Sequence, residues 1–209
     1  MSTRDDIWTA VHAERRSLAK DLASLDEAQW STTSWCNEWT VRDVVAHMTA
    51  TASMSPPAFL AKLAGTGFSF SKLQAKDIAR ERGASSQETL ARFTAKVDST
   101  SHPPGPTPTW LGETLVHAED VRRPLGITHA YPPEAAARVA TFYSTSNLLI
   151  GSKRRIAGLQ LRATDAEWTH GDGPSVEGPI MALLLAMTGR KGATAALTGD
   201  GVATLAQRP

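Results

Sequence analysis

The chain has 209 residues, with 22 Lys and Arg against 21 Asp and Glu, so its net charge is +1 and nothing in its charge favours nucleic acid or an acidic membrane surface as the main partner. A single cysteine, Cys36, excludes an internal disulfide and CxxC chemistry and suits a reducing cytoplasm. No stretch approaches the roughly 18 apolar residues needed to cross a bilayer, and the length is enough to bury a core without staples.

The opening residues MSTRDDIW lack an apolar signal core, so the expectation is a soluble cytoplasmic protein, either monomer or homodimer. Ile7, Val11, Leu18, Leu22 and Leu25 recur at spacings of three, four or seven, which predicts an amphipathic helix from about Arg4 to Leu25. From Asp26 to Glu38 the period is lost in a polar connection, and Trp30, Trp35 and Trp39 crowd it and its edge. Thr40-Val-Arg-Asp43 then reads as a helix start, a hydroxyl covering a free N–H with an acid in the first turn. Val41, Val44, Val45 and Met48 form the apolar stripe, with His47 at its edge.

Pro56 and Pro57 punctuate the chain, and Phe59, Leu60 and Leu63 suggest a short apolar turn or two before Gly65-Thr-Gly67. Ser69 to Arg82 reads as helix, and Ser85 to Glu88 repeats the cap pattern before Leu90, Phe93 and Val97. Ser99 to Thr109 carries four prolines and is expected to be a rigid loop. Gly112 to Gly126 is the next helix. Pro132 and Pro133 begin another, with Val139, Phe142 and Leu149 on its apolar side. Beyond residue 150 the pattern changes. Leu159, Leu161 and Ala163 alternate as in a strand, Gly171-Asp-Gly173 turns the chain, and Pro179 to Thr188 is an apolar helix ending at Gly189-Arg190. The tail ATAALTGDGVATLAQR reads as strand, turn and short helix. The expected organisation is therefore α+β: an up-and-down helical bundle over 1–150 and a small α/β domain over 151–209.

Within GETLVHAEDVRRPLG, Glu113, His117 and Asp120 fall on one face of the helix, while Leu111, Leu115 and Ala118 lie roughly opposite. If the charged face points inward it needs a metal or a partner network. Glu113 and His117 at i and i+4 can reach one ion, and His47 from another helix would complete three ligands with an open fourth position. On spacing alone the same pair reads better as a solvated i,i+4 contact or a capped turn than as a ligand pair. Asp120 either orients a ligand histidine or pairs with Arg122 or Arg123. His102, His129 and His170 read as surface residues, and Cys36 as a small buried apolar one.

Trp39 to His47, WTVRDVVAH, followed downstream by GETLVHAEDV from Gly112 to Val121, resembles the mycothiol-dependent maleylpyruvate isomerase family. VEGPIMALLLAMTGR, Val176 to Arg190, and LTGDG, Leu197 to Gly201, resemble that family's small C-terminal domain. The resemblance implies a DinB-like metal-binding four-helix bundle, a sterol-carrier-like second domain, and a divalent ion, usually zinc, held by His47, Glu113 and His117. It implies mycothiol as thiol cosubstrate, bound through sulfur as a thiolate, and a small electrophilic substrate. Attack on an activated cis-alkene would give isomerisation, and attack on an epoxide or a carbon bearing a leaving group would give S-transfer. Arg190 resembles the family's arginine and would hold a substrate carboxylate, or else it caps its own helix. Two other readings stand beside this one: a zinc hydrolase with metal-bound hydroxide and Asp120 or Glu119 as base, and a non-catalytic binding protein for an apolar ligand.

Overall fold

A computed structural model describes residues 3–36, 39–148 and 150–209, so Leu149, expected on an apolar helix face, lies outside the described residues. The chain divides into two compact units, Met1–His129 and Ala130–Pro209. The first contains α1 (Thr3–Leu22), α2 (Glu27–Trp30), α3 (Val41–Ala52), α4 (Pro56–Ala64), α5 (Phe70–Glu81), α6 (Ser86–Thr94) and α7 (Thr107–Arg122). Its helix starts follow local chemistry. The Thr40 hydroxyl accepts from the Asp43 amide and the Asp43 carboxylate accepts from the Thr40 amide, closing a capping box on α3. Asp26 and Gln29 make a second box, which turns part of the expected irregular connection into α2.

Helix α7 begins at Thr107, inside the segment expected to be a loop. Pro106 is its cap and Pro108 sits in its first turn, where a missing N–H costs nothing. The apolar run at Pro56–Ala64 likewise forms a nine-residue helix, more than a turn or two.

Helix α1 packs on α6 and α7, and α3 packs on α5, α6 and α7. Leu18 and Leu22 of α1, Val41, Val44, Val45 and Met48 of α3, Phe93 of α6, and Ala118 and Val121 of α7 meet in one core with Trp30 and Cys36. Each large apolar side chain buried there contributes about 1.5–3 kcal/mol. Charge is buried in this bundle too. Arg122, with no exposed surface, pairs with Glu14 and with Asp21 (Nε to Oδ2 2.7 Å) and donates to Ser17 Oγ at 3.2 Å. His129 Nε2 lies 3.0 Å from the other Glu14 oxygen. This network ties α7 to α1 and fixes which face of α7 turns inward.

The second unit contains α8 (Pro133–Thr145), α9 (Ser152–Arg155), β1 (Gln160–Ala163), β2 (Thr169–His170), β3 (Ser175–Gly178), α10 (Ile180–Met187) and α11 (Val202–Gln207). The sheet order is β2-β1-β3. β2 runs antiparallel to β1 with Leu161 opposite His170, and β3 runs parallel with Leu161 opposite Val176. All eight residues of α10 are buried, so apolar cover is needed on every side. Helix α8 supplies part of it, with Ala136, Val139, Ala140 and Tyr143 buried. The division between units accordingly falls before α8, ahead of the boundary at 150/151 that composition suggests.

The tail differs from its expected strand. Lys191–Ala196 is a 3₁₀ turn, and only Thr198 pairs, in a single antiparallel bridge with Glu177. Gly178 permits this close approach, because a Cβ there would sit 2.6 Å from Leu197 Cδ2 and 2.7 Å from the Ala196 carbonyl. Among the described residues no helix is long and apolar enough to cross a membrane.

Candidate metal centre

Helix α7 is buried almost all round. Leu111, Leu115 and Ala118 enter the core, and on the other side Glu113 and His117 are only partly exposed while Asp120 is fully buried. One ligand atom each from His47, Glu113 and His117 lies within 4.8 Å of the others. His47 comes from α3, two turns after its cap, and its ring meets that of His117 edge-on with centroids 5.0 Å apart. The α3–α7 contact makes this meeting possible, since neither helix carries all three donors.

Glu113 is held but not satisfied. Its Oε2 accepts from Thr114 Oγ1 at 3.4 Å, and Thr51, one turn beyond His47 on α3, also bonds to the carboxyl. Its Oε1 is buried without a partner. A buried carboxylate oxygen left bare costs several kcal/mol unless a proton or a cation completes it. Burial pushes the Glu113 carboxyl up, and His117, Arg15, Thr114 and Thr51 offset this only in part.

His117 Nδ1 lies 2.9 Å from Asp120 Oδ2. Burial alone would lower this imidazole, but its bonds to Asp120 and Cys36 outweigh burial and hold it at about 10. Without an ion, therefore, this cluster retains protons on groups that an ion would need bare. With Nδ1 engaged by Asp120, Nε2 is the nitrogen left to coordinate. Arg122 and Arg123 are occupied elsewhere, Arg122 in the α1 network and Arg123 with Glu119. Glu119, named as a base in the hydrolase reading, is thus buried against an arginine.

Two histidines and one carboxylate, one carboxylate oxygen being an unpartnered buried acceptor, are a donor set suited to a divalent ion. Trp39 walls this set, with its ring 5.1 Å from His47 and 6.4 Å from His117. The other crowded tryptophans do different work: Trp30 is core, and Trp35 stacks under the Arg123 guanidinium at 5.8 Å. Trp39 opens the motif that ends at His47, whereas Thr51 does not stand out as a site residue in the sequence. Thr51 carried one usable signal, its i+4 spacing from His47.

Residues 11–104 match the domain family described as Mycothiol maleylpyruvate isomerase N-terminal domain. The matched stretch includes His47, whereas Glu113, His117 and Asp120 follow it. A crystal structure of the mycothiol-dependent maleylpyruvate isomerase is similar with a TM-score of 0.65 at 16% identity, covering 95% of this chain and 93% of that chain. A mutant of that isomerase with one histidine changed to alanine is similar with a TM-score of 0.63, at the same identity and coverage. At this identity the likeness establishes a shared α+β fold. No curated protein sequence matches the chain.

The remaining sequence-predicted residue, Arg190, lies in the second unit and opens the 3₁₀ turn after α10. Its Nη1 donates to the Thr188 carbonyl at 3.1 Å, the contact a helix cap requires. Of the histidines read as surface residues, His129 bonds to Glu14, and His102 is stacked between Trp8 and Trp110 at 5.7 and 5.2 Å.

Proposed function

We propose that the chain is a metal-dependent enzyme that uses mycothiol to isomerise a small activated cis-alkene of the maleylpyruvate type. The observation that carries this reading is the unpartnered, buried Oε1 of a Glu113 carboxyl that lies within 4.8 Å of two histidines, in a chain whose residues 11–104 match the Mycothiol maleylpyruvate isomerase N-terminal domain family. His47, Glu113 and His117 would hold the ion, zinc being the expectation from sequence. Bound there, it supplies Lewis acidity that keeps a coordinated thiol ionised near neutral pH.

The rest falls to the chain. Asp120 takes the hydrogen of His117 Nδ1, which orients the ring and leaves Nε2 with its lone pair. Thr51 and Thr114 hold Glu113 in place. Trp39 covers both imidazoles and keeps water from one side of them.

In the reaction, the thiolate sulfur bonds to one alkene carbon and the π electrons move onto the conjugated carbonyl as an enolate. Rotation about the resulting single bond follows. The enolate then re-forms the double bond and expels the thiolate.

Isomerisation returns the thiol unchanged, whereas S-transfer consumes one thiol per product. Incubating zinc-loaded protein with mycothiol and maleylpyruvate, and following free thiol and product together, therefore tests the assignment. Turnover with constant thiol supports isomerisation. Thiol loss in step with product selects S-transfer, and equal turnover without thiol would overturn both.

A further inference from the structure

A second donor set shares His117 with the first. Cys36 Sγ, a His117 nitrogen and an Asp120 carboxyl oxygen all lie within 4.8 Å of one another. Cys36 and Asp120 are buried. Cys36 is the chain's only cysteine, and the segment that carries it is pinned to α7 by the main chain, Trp35 N donating to the Asp120 carbonyl at 3.0 Å. Ser34 Oγ then accepts from the Cys36 amide at 3.0 Å, which holds the thiol beside the imidazole. A thiol placed this way is more than apolar filling.

We propose that Cys36, His117 and Asp120 form a second metal site, selective for thiophilic ions, whose occupation excludes an ion from the His47, Glu113 and His117 set. The two sets differ in chemistry. The first offers nitrogen and carboxylate donors only, whereas the second adds a thiolate, which favours soft ions such as cadmium. Exclusion follows from imidazole chemistry. An ion on Nδ1 takes the place of the hydrogen that His117 gives to Asp120, so the single N–H of the neutral ring is carried on Nε2. A nitrogen bearing hydrogen has no lone pair for a second ion. Cadmium binding releases the thiol hydrogen of Cys36 to solvent, along with the Nδ1 hydrogen where the ring was doubly protonated.

The test uses the full-length protein and cadmium chloride. Because Cys36 is the only cysteine, an ultraviolet cadmium–thiolate band reports this residue alone. The band is expected to saturate at one equivalent in the parent and in Glu113→Gln, in which the first set is disabled. Asp120→Asn and His117→Ala should each weaken cadmium at least about tenfold. In cobalt-loaded parent, the visible cobalt spectrum should bleach as the thiolate band grows. Asp120→Asn is isosteric, so ligation is read even where His117→Ala does not fold. Absence of the band overturns the proposal. So does a band of equal affinity in Asp120→Asn, the mark of a lone-thiol adduct, or a cobalt spectrum untouched by cadmium. These outcomes are separate from the proposed activity, because the band in Glu113→Gln is measured without the catalytic set.

Discussion

The two ends of α7 bury charge in opposite ways. At the C-terminal end Arg122 meets Glu14, Asp21 and Ser17, and His129 takes up the other Glu14 oxygen, so the buried groups satisfy one another. Nearer the N-terminal end, Glu113 keeps one buried oxygen bare and His117 holds a proton far above its usual range. A network that closes on itself stabilises a helix pair. One left open keeps places for something that is not part of the chain, which separates a structural charge cluster from a candidate site on the same helix.

The largest effect is expected at the closed end. Arg122→Met leaves Glu14 and Asp21 without their cation and should cost about 3–5 kcal/mol in chemical denaturation, with metal uptake per folded molecule unchanged. At the open end His117→Ala should lower zinc affinity by roughly 100-fold or more, beyond what loss of an outer partner costs, while circular dichroism stays that of the parent. Asp120→Asn is expected to fall between, with about 10–100-fold weaker zinc in competition titrations.

The metal-free protein should also respond to pH. His117 raised from 6.5 to about 10 stabilises the fold while protonated, so its contribution is complete below 6.5 and is lost as pH climbs through about 10. Glu113, raised by burial, adds in the same direction from lower pH. Denaturation midpoints of chelated protein should therefore drop between pH 6.5 and 10, and zinc-loaded protein should hold level. A flat profile in the chelated form would remove the retained protons from the account. The smallest effect is expected for Glu113→Gln in metal-free protein, near neutral or slightly stabilising, where Glu14→Gln at the closed end destabilises.

Much of this was legible beforehand, though unevenly. Apolar periodicity and caps located α1, α3, α5, α6 and α10, because each depends on neighbours within a few residues. Spacing placed Glu113 and His117 on one face but left a solvated pair the better reading, and it was resemblance that joined them to His47. Thr51 went unread beside the site, and Cys36 read as a small buried apolar residue, since each arrives from a different turn or segment. The expected strand at the tail failed for a similar reason. Its alternation was too short to outweigh the contacts that draw Ala196 and Leu197 over Gly178.

By itself the sequence determined the helices, their starts and the presence of chemically capable side chains, all consequences of local sterics and of hydrogen bonds closed within a turn or two. Only the tertiary structure decided that α3 and α7 lie together, that the polar face of α7 turns inward, and that Glu113 ends with a buried oxygen unpaired. Those outcomes depend on packing between segments far apart in the chain. There a few kcal/mol from the shared core and from the Arg122 network choose one rotation of a helix that either face could have presented.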